Sequence, residues 1–276
     1  MRYLSMKNSA SETKRREGFT KTFAPLFPSK LQFVDGVNGK ELLAADPSLD
    51  GQVDSLSWLR ITRGFDKEDH TSLYTVGAVG CALSHLRELE HAASATGCTL
   101  VIESDVGGVD QTAWAKLTAE FPLFPDEVDI LWLNTYKAHS EQPLGKTISR
   151  MMGPIQSMVA ILYTPRGAAK MLDLIYRNDR ILTNQIDGIY GAVFARYPDS
   201  IVAARTNEDV VLLDELMNMT TSNIQTLSIK SMLPDENWFY ALMASLLLIF
   251  LISTSTIALQ LKRIKRRRER GVRGGE

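Results

Sequence analysis

Apolar runs alternate with amphipathic stretches over residues 1–206, and this alternation predicts the secondary structure. Four segments predict strands: LQFV at 31–34, TLVI at 99–102, DILWL at 129–133 and MVAILY at 158–163. The last three are almost wholly apolar, as is typical of strands buried on both faces. Because helical patterns separate the four segments, we expect an α/β fold with a mostly parallel sheet and flanking helices.

The clearest helix precedes the strand at 99–102. Its apolar residues recur at intervals of three and four, so they share one helix face: Ala82, Leu83, Leu86, Leu89 and Ala93. The strand that follows ends abruptly in Glu103, Ser104 and Asp105. Residues in this position lie at the carboxyl edge of a sheet, where open α/β folds bind their ligands.

The acidic triplet has the chemistry of a cation site. Glu103 and Asp105 are two residues apart on a chain that leaves a strand. Carboxylate oxygens are the ligands that Mg²⁺ and Mn²⁺ prefer, and the remaining coordination positions take substrate phosphates. The alternative is a solvated turn without a ligand, because two nearby acids are common in loops.

The triplet belongs to a longer pattern. Gly-x-x-Gly-Cys-x-x-Ser-His at 77–85, followed by a helix and an apolar strand with an acidic end, resembles glycosyltransferase family 25, which includes the lipopolysaccharide and collagen galactosyltransferases. The matching residues are Gly77, Gly80, Cys81, Ser84, His85, Glu103 and Asp105. The family usually has Glu-Asp-Asp at the triplet, whereas Ser104 stands in the middle position here.

The resemblance implies a GT-A-type domain over residues 1–206 that moves galactose or glucose from a UDP-sugar to a hydroxyl of a glycan, lipid-linked or protein acceptor. Mn²⁺ or Mg²⁺ would be held by Glu103 and Asp105, and the donor would be contacted by Gly80, Ser84 and His85. A structural role for His85 is equally open. Because Ser104 removes a carboxylate, a non-catalytic relative with a binding or adhesion role is the alternative, and a scaffold with a chance match is a third.

Three further residues are candidates through the same resemblance. Arg15 and Arg16 occupy the first predicted helix, where one of them would contact the donor nucleotide or its diphosphate. A solvated basic helix face is the competing interpretation. Asp187 precedes a helix and would act as general base on the acceptor hydroxyl. Its alternative role is a carboxylate that stabilises the helix N-terminus.

Several segments predict loops. We expect residues 44–75 to form a loop region with one short helix, and Gly107 and Gly108 to give a flexible exit from the acidic triplet. Residues 135–153 predict a long polar loop that contains Lys137, His139 and Lys146. Val34, Asp35, Gly36 and Gly39 also match the family, and turn geometry explains these glycines.

The two cysteines, Cys81 and Cys98, lie on either side of the central helix pattern. Two cysteines do not make a disulfide framework, and small buried thiols are the favoured interpretation. A bridge between them is the minority alternative. Their spacing and neighbours in the sequence do not indicate a zinc site.

Residues 238–261, WFYALMASLLLIFLISTSTIALQL, contain no charged residue and predict a transmembrane helix. Residues 207–237 would be a tether and 262–276 a basic tail. The tail carries eight Lys and Arg and two Glu, a net charge of +6, whereas the other 261 residues carry 23 basic and 30 acidic side chains, a net charge of −7. An acidic body argues against nucleic-acid binding.

The basic tail predicts the topology of the chain. The positive-inside rule places the tail in the cytosol and the body in the lumen of the Golgi or the endoplasmic reticulum. Residues 1–21 have no apolar segment of the kind a signal peptide needs. A tail-anchored protein with a cytosolic body, or an incomplete N-terminus, are therefore the alternatives.

Overall fold

The structure, a computed structural model, describes the following residues: 1–6, 10–26, 31–48, 50–63, 75–122, 124–134, 140–151, 157–177, 182 and 184–213. All of them belong to the first of two units into which the chain divides, Met1–Ile229. Within these ranges, no helix has both the length and the apolar content needed to cross a bilayer. The predicted membrane segment 238–261 and the basic tail 262–276 lie outside the described residues.

The described part alternates strands and helices, as the sequence pattern predicts. The strands are β1 (Arg2–Ser5), β2 (Gln32–Asp35), β3 (Thr99–Glu103), β4 (Val106–Val109), β5 (Ile130–Trp132), β6 (Ser140–Pro143), β7 (Ile148–Met151), β8 (Ala160–Tyr163), β9 (Ala203–Thr206) and β10 (Val211–Leu213). The α-helices are α1 (Ala10–Thr22), α2 (Gly39–Ala45), α3 (Ser55–Arg63), α4 (Val76–Ser94), α5 (Gln111–Glu120), α6 (Pro165–Tyr176) and α7 (Ile186–Arg196).

The main sheet has the strand order β2-β1-β3-β8-β5-β9-β7-β6. Among its described strands only β7 and β8 run against the others, so the prediction of a mostly parallel sheet is confirmed. Strand β8 lies between β3 and β5 and is antiparallel to both. The three strands at the β2 end of the sheet, β2, β1 and β3, are parallel to one another.

Two hydrophobic cores lie on the two faces of the sheet, because side chains alternate along each strand. Val101 of β3 packs into the core with α3, α4, α6 and α7. Its neighbours Leu100 and Ile102 pack into the other core, with Phe19 of α1 and Leu117 of α5. The result is a three-layer α/β/α domain in which α4 and α1 cover opposite faces of the same strand ends.

Close packing fixes the position of α4 against the loop after β2. A Cβ on Gly80 would lie 2.5 Å from the carbonyl oxygen of Val37, and one on Gly39 would lie 2.5 Å from that of Val76. Ser84 Oγ donates to the Gly80 carbonyl (2.7 Å) and accepts from the Val37 amide (2.8 Å). These glycines therefore permit close approach between α4 and residues 37–39.

Close approach, and not the turn geometry that the sequence suggested, explains Gly39. Among the described residues only Gly51 is a glycine with positive φ. Gly39 begins helix α2 rather than a turn that needs left-handed backbone. Gly36 has ordinary contact distances around it, with Ser84 Oγ 3.5 Å from its ideal Cβ position.

Two predicted loops contain strands instead. Gly107 and Gly108 lie in β4, which pairs with β10 in a separate two-stranded sheet. The described part of 135–153 forms an antiparallel hairpin of β6 and β7, with Lys146 between the strands. Both predictions were wrong because these strands are short and have little apolar patterning. Lys137 and His139 lie outside the described residues.

The cysteine predictions fail in part. Both Cys81 and Cys98 are free thiols, so the minority alternative of a bridge between them is wrong. Cys98 is exposed and Cys81 is only partly buried. The expectation of two buried thiols is therefore wrong for Cys98, which follows the end of α4 in a polar turn.

We expect Gly80→Ala to destabilise the protein, because the new Cβ would press against a backbone carbonyl that cannot move as a side chain can. The loss should be on the order of 1–3 kcal/mol in free energy of unfolding, measured by urea unfolding of the full-length chain. The matched control is Gly18→Ala in α1, where a Cβ meets nothing within 4 Å. That variant should be unchanged or more stable by up to about 1 kcal/mol. Equal stability of both variants would contradict the packing account.

Candidate functional site

The carboxyl ends of β1 and β3 lie at the edge of the sheet where open α/β folds bind ligands. The chain leaves β1 toward β2 on one side and leaves β3 toward β5 on the other, so the connections from β1 and β3 diverge at this point. Leu4 pairs with Glu103 in the register of the two strands, which places Ser5 and Ser104 side by side at the edge. A point where strand connections diverge is the expected ligand position in such folds.

Glu103 ends β3 on the face covered by α4. Its Oε1 lies 2.7 Å from His85 Nε2 and accepts a hydrogen bond from Cys81 Sγ at 3.6 Å. His85 and Cys81 are four residues apart on α4 and therefore project from the same helix face. The His85 side chain is 1% exposed and that of Glu103 18%, so solvent reaches this group through the carboxylate.

Asp105 is a buried carboxylate with incomplete hydrogen bonding. Its Oδ1 is inaccessible to solvent and has no hydrogen-bond partner among the described residues. Burial, and then the negative charge of Glu103, raise the pKa of Asp105 to about 7. A buried acceptor beside a like charge is electrostatically unfavourable, and a bound cation would relieve both conditions.

Helix α1 brings two guanidinium groups to the carboxyl ends of β1, β2 and β3. Arg15 Nη1 donates to Glu12 at 2.7 Å and to Ser104 Oγ at 3.4 Å. Arg16 Nε donates to Ser5 Oγ at 2.7 Å, and its Nη2 lies 3.1 Å from Asp35 Oδ1. The two arginines therefore lie along the ends of β1, β2 and β3, where the sequence resemblance places the donor.

Asp187 lies in the first turn of α7 and accepts a hydrogen bond from the Gly188 amide at 2.8 Å. Burial raises the pKa of Asp187, and the charge of Glu103 raises it further, while His85 opposes the shift. The charges of Glu103 and His85 therefore act on Asp187. Its first-turn position fits the helix-stabilising alternative, and its electrostatic interaction with Glu103 fits the general-base alternative.

Two predicted donor contacts have other partners. The contacts of Gly80 and Ser84 are to the loop after β2, as described above, rather than to Glu103 or Asp105. A direct donor contact by either residue stays a prediction. His85 does lie in the site, through Glu103.

Sequence reasoning missed two residues of the site. Cys81 matched the family pattern but was given no role in the site, although its spacing of four residues from His85 on a helix indicates a shared face. Glu12 was given no role either, yet its side chain is 1% exposed and its Oε2 has no hydrogen-bond partner among the described residues. No local signal in the sequence indicates the burial of Glu12.

Comparisons of the whole sequence add no relative to this picture: no protein-family model matches the chain and no curated protein matches it. The functional conclusion therefore depends on the residues at this edge of the sheet.

The raised pKa of Asp105 predicts a pH-dependent stability. Folded Asp105 holds its proton up to about pH 7, whereas its ordinary pKa is 3.8, so the folded state binds this proton more tightly. That contribution to stability is complete below pH 3.8 and is lost as the pH rises through about 7. Asn at position 105 does not ionise, so Asp105→Asn should not lose this stability as the pH rises. The free energy of unfolding of the variant should therefore exceed that of wild type by a margin that grows between pH 3.8 and about 7, to a few kcal/mol.

The measurement is a series of urea unfolding curves of the full-length chain, with a chelator present so that no cation titrates the site. Asp199→Asn is the control, since Asp199 is exposed. Its stability difference from wild type should not vary with pH. A constant difference for Asp105→Asn as well would show that this carboxyl has an ordinary pKa.

Proposed function

We propose that the chain is a metal-dependent glycosyltransferase that moves a hexose, galactose or glucose, from a UDP-sugar to a hydroxyl of a glycan, lipid-linked or protein acceptor. The observation that carries the proposal is the pair Glu103 and Asp105 where the connections from β1 and β3 diverge, with a buried Asp105 oxygen that has no hydrogen-bond partner within the described part of the chain. The resemblance to glycosyltransferase family 25 supplies the reaction class. A GT-A-type domain over residues 1–206 belongs to the same proposal.

Glu103 and Asp105 would hold the cation. Both are oxygen donors, which fits Mn²⁺ or Mg²⁺. The raised pKa of Asp105 is evidence for the fit, because the arrangement repels a second negative charge until a cation is present. When bound, the cation would neutralise the charge that develops on the departing diphosphate.

Arg15 and Arg16 would position the donor. A guanidinium group matches phosphate geometry with two parallel hydrogen bonds, and both arginines contact residues at the same strand ends. Ion pairs with Glu12 and Asp35 hold the two side chains there. This arrangement orients the two guanidinium groups before a nucleotide binds, which reduces the side-chain entropy that is lost on binding.

Asp187 would act as the general base. It would take the proton from the acceptor hydroxyl as that oxygen forms a bond to the sugar and the bond between the sugar and UDP breaks. Burial raises the pKa of Asp187, which moves a carboxylate toward the range where it accepts a proton effectively at neutral pH. The charge of Glu103 acts on Asp187, as expected of a carboxylate in the same site.

The non-catalytic alternative is favoured by one observation. Ser104 provides a hydroxyl, 3.4 Å from Arg15, where the family has a second aspartate. A chain that has lost this carboxylate would bind a donor or glycan without transferring sugar. Donor binding without sugar transfer or donor hydrolysis would favour this alternative.

The remaining parts of the proposal concern location. The chain would be anchored in the membrane through residues 238–261, with the basic tail in the cytosol and the body in the Golgi or endoplasmic reticulum. A tail-anchored arrangement with a cytosolic body is the alternative. Asn218, Met219 and Thr220 form a glycosylation sequon, and glycosylation of Asn218 in cells would distinguish the two arrangements.

Titration calorimetry of the full-length chain in detergent should show UDP binding that depends on Mn²⁺. Glu103→Gln and Asp105→Asn should each weaken Mn²⁺-dependent binding at least about tenfold, a loss of about 1.4 kcal/mol or more. Asp199→Asn should bind as wild type does. If a chelator or the substitution at Asp105 leaves UDP affinity unchanged, the assigned cation site is wrong.

Replacement of Asp187 separates binding from chemistry. We expect Asp187→Asn to keep UDP affinity within about twofold while slowing sugar transfer, or donor hydrolysis in the absence of acceptor, by at least about 100-fold. The assay is UDP release from UDP-galactose and UDP-glucose. Equal loss of UDP affinity and turnover would assign Asp187 to donor binding instead.

A further inference from the structure

Glu103 faces a second group of potential metal ligands on the side away from solvent. Cys81 Sγ, one ring nitrogen of His85 and one Glu103 oxygen lie within 4.8 Å of one another. Helix α4 supplies two of these ligands from consecutive turns, and β3 supplies the third from its last residue. A spacing of four residues on one helix face is the same device that places paired histidines on zinc in other proteins.

One of the ligand pairs already has the spacing of a tetrahedral zinc site, and a second needs a small separation. Bonds of about 2.0–2.3 Å to zinc place neighbouring ligand atoms roughly 3.3–3.7 Å apart. Cys81 Sγ and Glu103 Oε1 already lie at 3.6 Å. His85 Nε2 and Glu103 Oε1, at 2.7 Å, would separate by less than about 1 Å when a metal ion replaces the hydrogen between them.

Neutral imidazole binds metal ions through one of its two ring nitrogens. His85 Nδ1 is buried and has no hydrogen-bond partner among the described residues, whereas Nε2 lies 2.7 Å from Glu103 Oε1. Nε2 is therefore the nitrogen placed to bind a metal ion together with Glu103.

The ligand types distinguish this group from the Glu103 and Asp105 pair. Two carboxylates suit a hard cation, whereas a thiolate, an imidazole and one carboxylate suit Zn²⁺ and Co²⁺. The group supplies three protein ligands, which leaves a fourth tetrahedral position for water or substrate. Partial exposure of Cys81 and Glu103 provides the route by which the ion enters.

We propose that Cys81, His85 and Glu103 form a binding site for a borderline divalent metal ion, with Zn²⁺ as its natural occupant. The site does not depend on the proposed transferase activity, because its ligands are a thiol and an imidazole that a UDP–Mn²⁺ site does not require. Glu103 is common to both sets of ligands, and Asp105 belongs only to the hard-cation pair.

Cobalt provides the direct probe, since a thiolate bound to Co²⁺ gives a charge-transfer band in the near ultraviolet. The reduced full-length chain should develop this band on titration with Co²⁺, reach saturation at one ion per chain and lose the band when Zn²⁺ is added. Cys81→Ser should abolish the band, and His85→Gln should weaken Co²⁺ affinity at least about 100-fold. Circular dichroism of each variant checks that the fold is kept.

Cys98 is the matched control, because it is the other free thiol and is exposed. Cys98→Ser should give the same band and the same affinity as wild type. Asp105→Asn should also keep the band, even though it loses Mn²⁺-dependent UDP binding if the proposed function is correct. The proposal is overturned if folded, reduced protein shows no saturable thiolate band, if the band survives Cys81→Ser, or if it disappears with Cys98→Ser.

Discussion

The close contact between α4 and the loop after β2 is the constraint on which the site depends. Gly80 and Gly39 let two backbone segments meet at distances that a Cβ would forbid, and Ser84 joins them by hydrogen bonds. This contact sets the distance between α4 and the sheet. Cys81 and His85 contact Glu103 only because the helix lies at that distance.

The carboxyl end of β3, against which α4 packs, has more negative than positive charge around it. Burial raises the pKa of Asp105 and of Asp187, and the negative charge of Glu103 adds to the rise in both. The nearby cations are already engaged, since Arg15 pairs with buried Glu12 and Arg16 with Asp35. A divalent cation would stabilise an edge with this charge distribution, which links the packing of α4 to the chemistry that we propose.

The sequence predicts the parts of the fold that local patterns determine. Strands β3, β5 and β8 and helix α4 have long apolar or periodic patterns, and each lies where the pattern indicates. Strands β4, β6 and β7 are short and have little apolar patterning, and β10 has only three residues. Strand β4 pairs with β10 and β7 pairs with β9, so these pairs join segments that are far apart in the chain. Local patterning cannot predict such pairing.

The candidate site shows the same division. Glu103 and Asp105 were predicted at a strand end because a buried strand stops there, and the structure places Glu103 as the last residue of β3. The approach of Cys81 to Glu103, the burial of Glu12 and the role of Gly80 all depend on how helices dock on the sheet. Docking distances depend on contacts between segments that are far apart in the chain, so the sequence contains no local signal for them.

The most direct test of the account is a crystal structure of the chain with Mn²⁺ and UDP, with anomalous scattering used to locate manganese. The account predicts one manganese peak within bonding distance, about 2.2 Å, of carboxylate oxygens of both Glu103 and Asp105, with the UDP diphosphate on the same ion. A bound UDP without manganese at these two residues, or manganese held elsewhere, would contradict the central claim that this strand end is a cation site for a nucleotide sugar.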